Sequence, residues 1–237
     1  MRVLAFASQK GGSGKTTLAG HVAVAAELSN AGPVALLDTD PQGSLAEWWN
    51  AREAETPSFA HCVLSRLSQD LEHMRGLGVK LLVIDTPPAI TATIENVVQV
   101  SDLIVIPTRP SPHDLRAAGA TVEIVERANK PLVFAVNAAT PRARITAEAA
   151  IALSQHGTVA PVTVHQRTEF AASMIDGRTV MELKPTSRST TEILGLWDYL
   201  STRFESTRRR TMFAPTHPGV RAPRPFGTRS LERSYPA

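Results

Sequence analysis

The chain has 237 residues, of which 43% are hydrophobic and 20% charged, and this composition is sufficient for one folded domain with a buried core. Its single cysteine, Cys62, excludes a disulfide framework and any metal site that needs several thiolates. No stretch approaches the roughly 20 apolar residues of a membrane span, and the apolar run before residue 8 is too short for a signal peptide. These features predict a soluble cytoplasmic protein.

The first predicted element is an apolar strand at residues 3–7, followed by SQKGGSGKTT at residues 8–17 and a helical pattern at residues 18–28. Strand, glycine-rich loop and helix in this order are the context of a P-loop, which directs backbone N–H groups and the positive helix end toward a phosphate. Lys15 is expected to reach the β- and γ-phosphates, and the Thr16 hydroxyl to hold Mg²⁺. The predicted nucleotide-binding residues of this loop are Gly11, Gly12, Ser13, Gly14, Lys15, Thr16 and Thr17.

The second predicted strand, at residues 34–37, ends in two aspartates, Asp38 and Asp40. Aspartates at the end of a buried parallel strand lie at the edge of the sheet where α/β proteins bind ligands, which places them beside the P-loop. A carboxylate near the γ-phosphate can position a water molecule for attack. The alternative for Asp40 is that it only opens the turn at Pro41.

A third motif follows a more polar and irregular stretch at residues 45–78, which holds a short helix around Trp48 and a second helix at residues 68–77. The apolar run at residues 80–84 ends in Asp85, as a Walker B strand does, and its carboxylate would hold Mg²⁺ through a water molecule. An apolar run that ends in aspartate is common by chance. As the third motif in order after the P-loop and Asp38 to Asp40, it becomes informative.

The remaining pattern alternates strands with helices, which is typical of a parallel sheet covered on both faces. The sequence therefore predicts a single α/β domain at residues 1–208, doubly wound around a mostly parallel sheet, and a tail at residues 209–237. The expected strands are residues 103–107, 132–137 and 160–164, and the expected helices are residues 115–128, 145–155 and 189–208. The tail is rich in proline and arginine, a composition typical of disorder.

Positive charge is concentrated at the C-terminal end of the chain. From Arg203 onward there are eight arginines and only two glutamates, whereas the preceding residues carry a small net negative charge. A basic segment on a mildly acidic body indicates a polyanionic partner, with nucleic acid first and an anionic membrane second. The alternative is a solvated tail that only improves solubility.

Three motifs, KGGSGKT at residues 10–16, DTDPQG at residues 38–43 and IDTPP at residues 84–88, resemble the ParA/MinD family of ATPases with a deviant P-loop. The resemblance covers about residues 1–204. It implies ATP and Mg²⁺ as ligands and an ATP-dependent homodimer in which Lys10 crosses to the partner's nucleotide as a catalytic and nucleotide-binding residue. The alternative for Lys10 is a solvated loop lysine.

The resemblance also assigns roles to strand-end residues. It implies that Asp38 and Asp85 organise Mg²⁺ and its water shell, with Thr16 as a direct ligand, and that Asp40 orients the attacking water. Residues 87–96 would form a switch that responds to the γ-phosphate. Asn137, at the end of the strand 132–137, would contact the adenine, since its amide both donates and accepts hydrogen bonds; capping a turn is the equally open alternative.

Within this family the chain is most similar to short ParA-type partition ATPases. It lacks the cysteine ligands of the nitrogenase iron protein, the tyrosine cluster of the related kinases and the amphipathic C-terminal helix of MinD. The expected function is ATP-dependent, non-specific DNA binding and release of DNA on hydrolysis, in association with the nucleoid. The expected partner is a ParB-like or other small DNA-binding or cargo adaptor protein that stimulates hydrolysis. The predicted DNA-binding residues are Arg188, Arg203, Arg208, Arg209 and Arg210.

Two other functions stay open from the sequence. A membrane-surface positioning ATPase of the MinD kind would use Trp197, Phe204 and the C-terminal arginines as an interfacial anchor, although the C-terminal tail has no apolar face. A metabolic ATP-dependent synthase of the same fold would need a pocket for an acid substrate, for which the sequence offers no motif.

Overall fold

The computed structural model describes residues 1–88 and 91–212, with side chains as far as residue 205. The strands are β1 (Arg2–Phe6), β2 (Val34–Asp38), β3 (Ser58–Ala60), β4 (Leu81–Asp85), β5 (Leu103–Thr108), β6 (Leu132–Val136) and β7 (Thr158–Val159). The α-helices are α1 (Lys15–Leu28), α2 (Ser44–Asn50), α3 (Leu67–Gly76), α4 (Thr91–Val100), α5 (Pro112–Arg127), α6 (Arg144–Ser154), α7 (Thr168–Met174), α8 (Val180–Leu183) and α9 (Arg188–Met212). One turn of 3₁₀ helix, Leu64–Arg66, precedes α3.

The seven strands form one sheet in the order β3-β2-β4-β1-β5-β6-β7, and every paired strand is parallel. Strands β2 to β4 lie on one side of β1, and β5 to β7 lie on the other. The chain therefore leaves the carboxyl end of the sheet in two directions around β1, and this arrangement opens a crevice at the P-loop. The predicted doubly wound α/β fold is confirmed.

Alternate residues of the central strands supply two separate cores. Leu4 and Phe6 point to the face covered by α1, α2 and α9, whereas Val3 and Ala5 point to the face covered by α3, α4 and α5. All four side chains are fully buried. A strand buried on both faces must be apolar at every position, which explains the unbroken apolar run that preceded the P-loop in the sequence.

The sequence prediction did not include α4, α7 or α8, and three other elements also differ from it. Strand β3 was missed inside the stretch treated as irregular, because a three-residue edge strand carries almost no periodic signal. Strand β7 lies at Thr158–Val159 and not at residues 160–164, since Pro161 has no N–H group to continue the ladder. Helix α9 continues to Met212, four residues beyond the expected domain boundary. The tail from residue 213 onward lies outside the described residues.

Candidate nucleotide site

The P-loop joins β1 to α1, and its backbone shape requires glycine. Gly12 has a φ of 71° and Gly14 a φ of 94°, both in the left-handed region. A Cβ atom on Gly14 would also overlap the side-chain amide of Asn137. Helix α1 begins immediately after Gly14, so its first N–H groups, which have no partner within the helix, face the loop. This end of α1 is suited to an anion.

Lys15 lies in the P-loop with only 7% of its surface exposed. Its Nζ atom is 3.4 Å from the Lys10 carbonyl oxygen, which accepts a hydrogen bond from it. Burial lowers the pKa of Lys15, and the charges of Asp85 and Asp40 oppose this shift. Among the described residues this is the one hydrogen bond of the buried ammonium group, and such a group is poorly satisfied by the protein alone. It is therefore available to a negatively charged ligand.

Asp85, at the end of β4, is 1% exposed, and its Oδ2 atom accepts a hydrogen bond of 2.5 Å from the Thr16 hydroxyl. Among the described residues, the other carboxylate oxygen, Oδ1, is buried without a hydrogen-bond partner. The pKa of Asp85 is raised to about 7, mainly by burial and also by the charges of the nearby Asp38 and Asp40, while the Thr16 hydrogen bond and the charge of Lys15 oppose the shift. A hydroxyl beside a carboxylate with an unused oxygen is a donor set that suits Mg²⁺, which binds through one or two protein oxygens together with phosphates and waters.

Asp38 ends β2 and pairs in register with Asp85. Its two oxygens accept three backbone hydrogen bonds, from Asp40 N at 2.9 Å, Leu45 N at 3.0 Å and Ala46 N at 3.1 Å. Burial raises the pKa of Asp38, and these three donors oppose the shift. The carboxylate is therefore already used to hold the start of α2. Asp38 could contact a metal only through the oxygen lone pairs that these three hydrogen bonds leave unused.

Asp40 lies in the turn after β2, where its Oδ1 atom accepts a hydrogen bond from Gln42 N at 3.0 Å. It therefore forms the turn that was considered as the alternative to a catalytic role. Its side chain also lines the phosphate cleft, a cavity of about 690 Å³ in front of the P-loop. Both descriptions of Asp40 are compatible. The phosphate cleft is lined, among others, by Gly11, Gly12, Gly14, Lys15, Thr16, Thr17, Trp48, Pro88, Arg109, Met174 and Ile175.

Asn137 follows β6 and is 8% exposed. Its side-chain Nδ2 donates a hydrogen bond of 2.8 Å to the Ser13 carbonyl oxygen of the P-loop. Asn137 also lines the base cavity, a smaller space of about 190 Å³ next to the phosphate cleft that is bounded by residues 164–167 and Phe170. The amide therefore supports the P-loop.

The exposed side chain of Lys10 lies at the start of the P-loop, and its backbone N–H donates to Ser8 Oγ at 3.2 Å. The predicted switch at residues 87–96 is described only in part, because residues 89 and 90 lie outside the described ranges and Thr91 already begins α4. The sequence did not predict a contact between the P-loop segment and the switch: Gln9 Nε2 donates a hydrogen bond of 3.3 Å to the Thr91 hydroxyl.

The predicted DNA-binding arginines are not brought together where they are described. Arg188 is exposed at the first residue of α9. Arg203 is half-buried and lies 3.4 Å from the Thr158 hydroxyl. Fifteen residues separate the two, which is roughly 22 Å along a helix. Arg208, Arg209 and Arg210 belong to the last turns of α9, but their side chains lie outside the description.

Arg109 was missed by the sequence prediction. It follows β5 directly and lines both the phosphate cleft and the base cavity. The only signal in the sequence was its position after a strand, because strand ends meet at one edge of a parallel sheet.

A scan against family models matched residues 1–199 to the VirC1 protein family. The chain belongs to this family and is a ParA/MinD-type ATPase by relationship. The relative named maintenance of carboxysome distribution protein A, from Halothiobacillus neapolitanus, is 30% identical over 200 residues, which is 78% of this chain and 89% of the relative. The ParA protein of Rhizobium radiobacter is 29% identical over 128 residues, covering 53% of this chain and 56% of that protein.

Solved structures support the fold. The MinD protein of Pyrococcus horikoshii with Mg-ADP superposes with a TM-score of 0.72 at 14% identity and covers 87% of this VirC1-family chain and 98% of its own. An ATP complex of a Cyanothece McdA variant gives a TM-score of 0.67 at 19% identity, and the match covers 85% of this chain and 96% of that one.

Within residues 1–88 and 91–212, no helix is long and apolar enough to cross a membrane. The same part of the chain holds no cluster of three His, Cys, Asp or Glu side chains suited to a metal.

Proposed function

We propose that this chain binds and hydrolyses ATP with Mg²⁺ at the P-loop. The observation that supports this most is the buried Asp85 carboxylate, which lies beside Thr16 and the buried Lys15 and has one oxygen without a partner in the described part of the chain. A protein gains nothing in stability from burying such a group unpaired. A magnesium nucleotide would satisfy it, with the Mg²⁺ neutralising phosphate charge once bound.

The residues of the site would have different roles toward the nucleotide and the metal. The N–H groups of the P-loop and Lys15 would bind the β- and γ-phosphates, and Thr16 and Asp85 would hold the metal, with Asp38 keeping the neighbouring turn in place. Asp40 lines the cleft on the same side and would orient the attacking water. Asn137 and residues 164–167 would enclose the adenine. Lys10, whose side chain is exposed, would reach the nucleotide of a second copy.

We propose further that ATP binding drives a homodimer that positions a cargo on DNA. Relatives over most or part of the chain are named for carboxysome distribution and as ParA, which supports positioning or partition as the class of function. The basic C-terminal segment supports a polyanion such as DNA as the surface on which the dimer moves. A small DNA-binding or cargo adaptor protein would stimulate hydrolysis and so release the dimer.

The test is a gel shift of non-specific duplex DNA with ATP, ADP or no nucleotide, over a salt series. Wild type is compared with Lys10→Ala and with Lys80→Ala. Lys80 is an exposed lysine directly before β4, at the end of the sheet opposite the P-loop. We expect binding with ATP alone, which falls steeply with salt, disappears in Lys10→Ala and persists in Lys80→Ala. Asp40→Ala should keep the ATP-dependent complex but hydrolyse ATP slowly, which would prolong the DNA-bound state.

Binding that does not depend on the nucleotide, or equal loss in both lysine variants, would contradict the ATP-driven dimer. Co-sedimentation with anionic vesicles in place of DNA would favour the membrane-surface alternative. Rapid ATP turnover without DNA or a partner protein would favour the metabolic alternative.

A further inference from the structure

Arg109 lies between the phosphate cleft and the base cavity of the candidate site. It follows β5, which lies between β1 and β6 in the sheet. The preceding residue, Thr108, accepts a hydrogen bond of 2.9 Å from Asn137 N, so the backbone at this point is anchored to the segment that carries Asn137. The side chain therefore starts from a defined place beside the P-loop.

The side chain reaches both cavities of the site. Arg109 lines the phosphate cleft and the base cavity, and among the residues that bound these two spaces it shares this property only with Gly14 and Thr17 of the P-loop. A guanidinium nitrogen of Arg109 lies 3.6 Å from the position that a Cβ atom on Gly12 would take. The positive group thus lies against the backbone of the P-loop, where the two cavities meet.

Other arginines near the site are held by carboxylates. Arg52 pairs with Glu182, Arg167 forms two hydrogen bonds to Glu192, and Arg178 pairs with Asp176. In the described part of the chain the Arg109 side chain forms no hydrogen bond or ion pair, whereas its backbone carbonyl oxygen accepts a hydrogen bond of 2.8 Å from Ser111 N. A guanidinium presents five donors in a planar fork that matches phosphate oxygens.

We infer that Arg109 is an additional nucleotide-binding residue that donates to the phosphate nearest the base. This inference rests on the proposed binding of ATP at the P-loop and adds a contact made within one subunit. Because the phosphate next to the ribose is common to ATP and ADP, the contact stabilises both complexes. Lys15, in contrast, lies deeper in the loop and serves the terminal phosphates.

The test is isothermal titration calorimetry of the full chain with unlabelled ADP and, separately, with ATP and Mg²⁺. The variants are Arg109→Ala, Arg109→Lys and the control Arg66→Ala, which removes an exposed arginine that lines neither cavity. Loss of a charge-assisted hydrogen bond predicts affinity about tenfold weaker for ADP and ATP alike in Arg109→Ala. Arg109→Lys keeps the charge without the fork and should lose less, and Arg66→Ala should match wild type. Thermal melting without nucleotide should be the same for all four proteins.

Unchanged ADP affinity in Arg109→Ala, with wild type binding normally, overturns the inference and leaves the proposed function intact. A loss confined to ATP also overturns it, because the arginine would then act on the γ-phosphate or across a dimer. A lowered melting temperature in Arg109→Ala without nucleotide would show a structural role instead. If wild type itself binds neither nucleotide, the proposed function is what fails.

Discussion

Asp38 and Asp85 end neighbouring parallel strands and lie opposite each other in the sheet, yet their environments differ. Asp38 is half-buried and accepts three backbone hydrogen bonds that hold the start of α2. Asp85 is fully buried, accepts one hydrogen bond from Thr16 and keeps one oxygen without a partner among the described residues. The same residue type at paired positions therefore holds a helix start in one case and keeps an unsatisfied oxygen in the other.

The largest effect is expected from Asp85→Asn. The amide can still accept the Thr16 hydrogen bond, but it removes the negative charge that a metal would use. We expect ATP turnover to fall on the order of 10³-fold, measured by phosphate release with saturating Mg²⁺. Asp198→Asn, which changes an exposed carboxylate on α9, is the control and should match wild type. Near-normal turnover in Asp85→Asn would remove Asp85 from the metal site.

The second prediction concerns pH and stability in the absence of nucleotide and metal. The pKa of Asp85 is raised from 3.8 to about 7 by folding, so the folded state binds more protons between these values. Its contribution to stability is therefore present below about pH 4 and is lost as the pH rises through 7, a change of roughly 4 kcal/mol at most.

The measurement is urea unfolding of wild type and Asp85→Asn from pH 5 to pH 8. Buried His21 acts with the opposite sign in both proteins, because its pKa is lowered from 6.5 to about 4 and its protonation in the unfolded state weakens the fold as the pH falls. The difference between the two proteins cancels this contribution. It should move in favour of Asp85→Asn as the pH rises, and a difference independent of pH would show that Asp85 is not destabilised by burial.

The smallest effect is expected from Asp38→Ala. Removing the acceptor for Asp40 N, Leu45 N and Ala46 N should lower the free energy of unfolding by about 2 kcal/mol, because three backbone groups lose a partly buried carboxylate. Urea unfolding at pH 8 measures it, and Asp38→Asn, which keeps one acceptor oxygen, should lose less. Stability equal to wild type would mean that water replaces the carboxylate at no cost. In that case Asp38 would not differ from Asp85 in the way described.

The part of the site formed by the P-loop and the strand-end aspartates could be predicted from sequence, because each of its elements is a short continuous segment. The P-loop is a continuous segment between one strand and one helix, and Asp38, Asp40 and Asp85 each follow an apolar run that identifies its strand. The base half is assembled from β5, β6 and the segment after β7, which are distant in the chain. The sequence could therefore identify Asn137 as a strand-end residue, but it could not predict the hydrogen bond from Asn137 to the Ser13 carbonyl oxygen.

The sequence by itself determined the central strands of the sheet, the doubly wound class and the position of the glycine-rich loop between a strand and a helix, since these depend on apolar periodicity and on glycine at adjacent positions. Only the tertiary structure decided which strand-end carboxylate keeps an unused oxygen, where Arg109 lies, and that Arg188 and Arg203 are far apart. These outcomes depend on which backbone N–H groups lie near each carboxylate and on the distance between two residues along a helix. Contacts of this kind join segments that are distant in the sequence, and they form only when the chain folds.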